Sequence, residues 1–104
     1  MIILTITHPT AQGSHFDWHY FQNQHLPLIG AKLGNYGLVS ASVLKGEKAA
    51  DGSEPPVQAT VLLTFGSEDH AKAALSSDEA KDMFNDVANF TGAVPVMQFN
   101  SPVR

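Results

Sequence analysis

The chain has no cysteine. That removes disulfides, thiolate metal sites and thiol nucleophiles from its chemistry. Basic residues are few and scattered: six Lys and Arg stand against ten Asp and Glu, for a formal net charge of −4. Nucleic acid and anionic membrane both call for clustered Lys and Arg, so neither is indicated as a partner. No apolar run approaches the ~20 residues of a membrane helix. The opening "MIILTIT" lacks the basic start and long apolar stretch of a signal peptide. The expectation is a soluble, cytoplasmic protein. No G-x-G-x-x-G, P-loop or G-x-S-x-G spacing occurs, so nucleotide binding and classical hydrolase chemistry have no support.

What is present is an ordinary globular composition, 43% apolar and 15% charged. The 104 residues suit one domain, 1–104, small enough that a partner subunit would aid its stability. Residues 2–8, "IILTITH", alternate and are β-branched, which predicts a strand. "PTAQGS" breaks it. A helix then opens at Asp17, whose carboxylate suits the free N–H groups of a first turn, with Ser14 as the rival cap. Phe16 and Phe21 have the spacing of a hydrophobic staple. The helix runs to about Leu33 and "GNYG" ends it. Strands follow at 38–44 and 57–65, separated by the polar, Gly/Pro-rich loop 45–56. Ser67 caps a helix to about Leu75. Ser76 and Glu79 have capping-box spacing, which starts a second short helix from about Asp78 to Val87. The last strand is 93–99, with Pro95 favouring an edge position.

The order β-α-β-β-α-β is that of a ferredoxin-like α+β fold with a four-stranded antiparallel sheet. Helices cover one face of such a sheet. The other carries Ile3, Leu62, Met97 and Phe99 amid threonines, or a similar set in the opposite phase. Pairing two sheets face to face would cover it and bury on the order of 2,000 Å².

At about 100° per residue, Trp18, Phe21, His25, Leu28, Ile29 and Lys32 fall within one arc of the first helix. His25 therefore points at the sheet, while Tyr20 lies about 140° away. Pro27 cannot donate to the Asn23 carbonyl and disturbs the backbone beside the imidazole. Two readings of His25 stay open. It is a buried ring bonded to a carbonyl or a threonine, or it lines a pocket between helix and sheet as a general acid or base. His15 and His19 are four apart, but a cap at Asp17 leaves His15 outside the helix, and no H-E-x-x-H is completed, so no metal is expected. His8, at the end of the first strand, reads as a surface residue, with a place at a pocket mouth as the alternative, and His70 as solvent-facing.

The segment "FDWHYFQNQHLPL", residues 16–28, resembles the signature of the EthD-like family of dimeric α+β barrel proteins. The likeness rests on Phe16-Asp17, the aromatic pair Tyr20 and Phe21, and His25-x-Pro27-Leu28. "NFTGAVPVMQF", residues 89–99, is similar to that family's tail. His19 stands where an acid is common, and Ala88 where a proline often precedes Asn-Phe-Thr. The resemblance implies a ferredoxin-like protomer, joined through its sheet into a barrel-shaped homodimer. It implies a cofactor-free pocket for a small apolar organic molecule, as in related monooxygenases and isomerases, with a role in catabolism. His25 is then the candidate catalytic residue, and Trp18, Tyr20, Phe21, Asn89 and Thr91 the candidate substrate contacts. Trp18 reads also as core filling and Tyr20 as packing between helices or across the dimer. Asn89 and Thr91 are placed at the start of the last strand, where Asn89 also reads as a turn former, and Asp17 reads as a cap. The alternative is a non-catalytic ligand-binding or accessory dimer in which His25 is structural.

Overall fold

The computed structural model describes residues 1–10 and 15–103. Ser14, the rival cap, lies outside the described residues. Four strands, β1 (Ile2–Pro9), β2 (Leu38–Lys45), β3 (Val57–Phe65) and β4 (Val96–Asn100), form one sheet in the order β2-β3-β1-β4. Every neighbouring pair is antiparallel. Between β1 and β2 runs a helical stretch of three parts: α1 (Trp18–Tyr20), a π-turn (Phe21–His25) and α2 (Leu26–Leu33). Between β3 and β4 lie α3 (Glu68–Leu75), α4 (Asp78–Asn85) and a 3₁₀ turn (Asp86–Asn89). This is the expected ferredoxin-like α+β order.

The local chemistry of each element is visible in its ends. Asp17 accepts a hydrogen bond from the Tyr20 N–H at 3.0 Å and caps α1. The Ser67 hydroxyl accepts from the His70 N–H and caps α3. For α4 the cap is Ser77, which accepts from the Ala80 N–H at 3.1 Å. Ser76, the residue with capping-box spacing, instead closes α3, its N–H bonded to the Lys72 carbonyl. One face of the sheet and the inner faces of the helices make the core. Leu4, Ile6, Val61, Leu63 and Phe65 meet Phe21, Ile29, Leu33 and Met83, while Ala71, Ala74 and Ala80 let α3 and α4 pack closely.

The phase of β4 differs from expectation. The strand starts at Val96, and Met97 and Phe99 stand opposite Ile6 and Leu4, on the helix side of the sheet. The Asn100 side chain fixes that register by donating to the Thr5 hydroxyl and the Ile3 carbonyl, both at 3.0 Å. Met97 and Phe99 are nevertheless exposed, because β4 is an edge strand. The open face thus carries Ile3, Leu62, Leu44 and Val96 among Thr5, Thr7, Thr60 and Thr64.

Gly37 has φ +75°, and a Cβ there would stand 2.7 Å from the His70 ring. Gly37→Ala therefore combines a left-handed backbone with a clash. It should cost about 1–2 kcal/mol, roughly 5–10 °C in Tm for a domain of this size. Thermal melts of the two proteins check this, and an unchanged Tm would show that the turn relaxes freely.

Candidate functional site

The site begins with the π-turn. The Leu26 N–H reaches back five residues to the Phe21 carbonyl, one residue further than in an α-helix. The cause stands one position on. A proline ring inside an α-helix collides with the carbonyl four residues before it, here that of Asn23, and a widened turn moves that carbonyl aside. The consequence is angular. An α-helix stacks residues four apart, whereas an i→i+5 turn stacks residues five apart. Tyr20 and His25 are five apart, so the turn brings to one side two groups that a regular helix would splay. Tyr20 accordingly does not point away from His25, as constant α-periodicity predicts.

Both side chains end on Asp86, the first residue of the 3₁₀ turn. The Tyr20 hydroxyl donates to Asp86 Oδ1 at 2.5 Å, and His25 Nδ1 lies 2.9 Å from Oδ2. Asn89 Nδ2 donates to Oδ1 at 2.9 Å and to the Tyr20 hydroxyl at 3.3 Å. An ionised carboxylate only accepts, so the His25 proton belongs on Nδ1 and the lone pair on Nε2. Burial pulls the Asp86 carboxyl up, but the bonds from Tyr20, His25 and Asn89 together hold it below the usual carboxylate range. Asp86 in turn raises the Tyr20 phenol. For His25 burial prevails over the help of Asp86, and the imidazole is pushed down, toward its neutral form.

The rest of the surroundings is aromatic. His25, 3% exposed, stacks on Phe21 with centroids 5.6 Å apart and tilts against Phe90 at 4.6 Å. Phe16 and Trp18 extend the cluster, and Lys45 Nζ sits 5.3 Å from the centre of the Trp18 ring. His8 belongs here too, contrary to its reading as a surface residue. It shares the phase of Leu4 and Ile6 in β1, is 1% exposed, and meets Phe16, Phe21 and Phe90 edge-on. Neither of its ring nitrogens has a hydrogen-bond partner. An orphaned buried polar group of this kind costs about 1–3 kcal/mol. Burial, and secondarily the nearby His25, lowers the His8 pKa to about 4.

Of the other expected contacts, Asn89 joins the Asp86 cluster. Thr91 is buried, with its hydroxyl accepting from the Ala93 N–H. Neither begins β4: Asn89 ends the 3₁₀ turn and Thr91 forms an isolated bridge with Phe16. An open apolar cleft of about 300 Å³ lies between α2 and strands β2 and β3, lined by Leu26, Ile29, Ala41, Ser42, Val43 and Val61. It adjoins His25 along the chain, but neither His25 nor any expected substrate contact lines it. Among the described residues no three His, Asp or Glu side chains converge as metal ligands would. Sequence reasoning missed Asp86 and Phe90. A signal for Asp86 existed, because an acid at the end of a helix faces the negative end of its dipole and needs donors from elsewhere.

Two outcomes follow from this electrostatics. Unfolded histidine takes a proton near pH 6.5, whereas folded His8 resists it down to about 4 and folded His25 is also lowered. The unfolded chain therefore binds more protons across that window, so stability is complete above pH 6.5 and falls as pH drops toward 4. Denaturant titrations between pH 7 and 4 read this, and a flat profile would contradict it. Asp86→Ala leaves the His25 N–H, the Tyr20 hydroxyl and the Asn89 amide short of an acceptor and should cost about 2–4 kcal/mol by the same titration.

The chain resembles known proteins in both sequence and fold. The EthD domain profile matches residues 12–93. An EthD-like protein from Ralstonia eutropha is 28% identical, with a TM-score of 0.85 over 96% of this chain and 89% of that one. An ethyl tert-butyl ether D (EthD) family protein from Bacillus halodurans superposes with a TM-score of 0.77 at 18% identity, covering 99% of each chain. SnoaB, a cofactor-independent oxygenase from Streptomyces nogalater, shares the fold with a TM-score of 0.67 at 9% identity, over 99% of this chain and 92% of its own. No curated protein matches the chain in sequence. With four-fifths of its length matched by the domain profile, the chain belongs to the EthD family.

Proposed function

We propose that this EthD-family chain binds a small apolar organic molecule and moves a proton on it without a cofactor, in an isomerase- or monooxygenase-like step of catabolism. The observation that carries this reading is the pairing of the buried His25 ring with the partly buried Asp86 carboxylate, Nδ1 and Oδ2 being 2.9 Å apart. Asp86 holds the Nδ1–H and leaves Nε2 as the base. When Nε2 takes a proton from an acidic carbon, the imidazolium formed faces a carboxylate already in place. Phe21 and Phe90 keep water from the ring and give the apolar part of the substrate its surroundings. Returning the proton to another carbon completes an isomerisation, whereas dioxygen captures the carbanion in an oxygenase. That a cofactor-independent oxygenase has this fold supports the second course by analogy.

The working unit in this reading is a cytoplasmic homodimer of the 1–104 domain, paired through the open sheet face. Ile3, Leu62, Leu44 and Val96 supply the apolar part of that face. Trp18, Tyr20, Phe21, Asn89 and Thr91 contact or frame the substrate. A second reading, a non-catalytic ligand-binding or accessory dimer with a structural His25, is favoured by the cleft beside α2, which has no titratable lining residue.

Deuterium exchange at the α-carbon of 2-tetralone in D₂O separates the two. The wild-type dimer should accelerate exchange, and His25→Ala should lower that rate about 10²–10⁴-fold with the dimer intact by light scattering. Equal rates for the two proteins would rule out proton transfer by His25. Bound tetralone in native mass spectrometry with no exchange would favour the second reading.

A further inference from the structure

We propose that His8 is a second ligand-contacting residue. From the sheet side it grips the hydroxyl or carbonyl oxygen of a neutral, flat, apolar ligand that His25 meets from the helix side. The inference rests on the reading of the His25 cluster as the ligand site and adds to it a residue and a substrate class. Its basis is a misfit in β1. Ile2, Leu4, Ile6 and His8 share one phase of the strand, and a fourth aliphatic residue would complete the core there. The chain instead buries an imidazole to 1% exposure and gives neither nitrogen a partner. Buried polar groups are otherwise satisfied, and one that is not asks for a polar atom from outside the chain.

The position says which atom. His8 and His25 press on the same two rings, Phe21 and Phe90, from β1 and from the π-turn. Ala59, opposite His8 in β3, is fully buried and is the smallest side chain that leaves a Cβ in that row. Phe16, packed edge-on against His8, is half-buried, unlike the fully buried Phe21 and Phe90. A cage of phenyl rings selects a flat apolar body. Its polar handle has to be a neutral one. His8 stays uncharged in this burial, the ammonium of Lys45 is engaged on the Trp18 ring, and Asp86 stands behind His25 and repels an anion. A phenol, enol or ketone oxygen fits, and a carboxylate does not.

Calorimetric titration with 2-naphthol and 2-naphthoate, on wild type, His8→Leu and His8→Gln, tests this. The wild type should bind naphthol at least ten times tighter than naphthoate. His8→Leu should lose naphthol affinity at least tenfold while its Tm holds or rises, because it removes an orphaned polar group and keeps the strand apolar. His8→Gln, which still offers a hydrogen bond, should bind within a few fold of wild type. Wild-type affinity in His8→Leu overturns the inference and leaves the His25 proposal standing, since that is read separately by tetralone exchange. A Tm lowered alike in both variants marks His8 as structural and overturns it too. No naphthol binding by the wild type, or a preference for naphthoate, overturns the ligand class.

Discussion

The carboxylate of Asp86 ties together two parts of the chain that share no strand and no loop. Three donors converge on it, the Tyr20 hydroxyl and the His25 ring from the first helical stretch and the Asn89 amide from its own 3₁₀ turn. Taking a carboxylate out of water is unfavourable unless donors replace the water, and charge-assisted bonds of this kind do so. The arrangement also decides the state of the imidazole. With Nδ1–H committed to Asp86, the lone pair lies on the other nitrogen, away from the carboxylate, on a ring packed against Phe21 and Phe90. That one bond docks a helix and sets the tautomer of the imidazole.

Much of the fold could be read from residue order, for identifiable reasons. Alternation in β1 and β3 is strict because each has one buried face, and Asp17 and Ser67 cap their helices where a short polar side chain precedes an amphipathic run. The misreadings are equally physical. Ser76 and Ser77 both suit a cap, and only the geometry of the helix that ends at Leu75 separates them. In β4, Val96, Met97 and Phe99 put apolar groups on both phases, so alternation does not choose a face; the Asn100 side chain does, through bonds to a strand distant in sequence. His25 was legible because its own helix turns it inward. Asp86 was harder to see, because its helix-end position hints at missing donors but two of the three, Tyr20 and His25, lie more than sixty residues away. His8 follows the buried phase of β1, yet a histidine at a strand end next to proline looks like a surface residue until the aromatic cluster is seen around it.

The fold alone says little about chemistry. A protein with 9% identity has the same layers and is a cofactor-independent oxygenase, so the scaffold tolerates near-total replacement of its residues. A small set of groups in this chain stands against the logic of stability: an unpartnered imidazole in the core, an acid at a helix end and a proline within a helix. The imidazole and the proline weaken the fold locally, the acid is offset by three donors, and all three fall around the same cluster of rings. Natural sequences keep such departures where function needs them.

The widened turn at Phe21–His25 has a consequence for how such a helix can change over evolutionary time. It stores one residue of slack in the middle of a packed element. Losing a residue there would remove that slack, set the Pro27 ring back against the carbonyl four residues before it, and swing Tyr20 and His25 onto different flanks. A one-codon deletion would thus dismantle the histidine–carboxylate–tyrosine arrangement in a single step. An insertion of the same size in a sibling lacking the turn could create it.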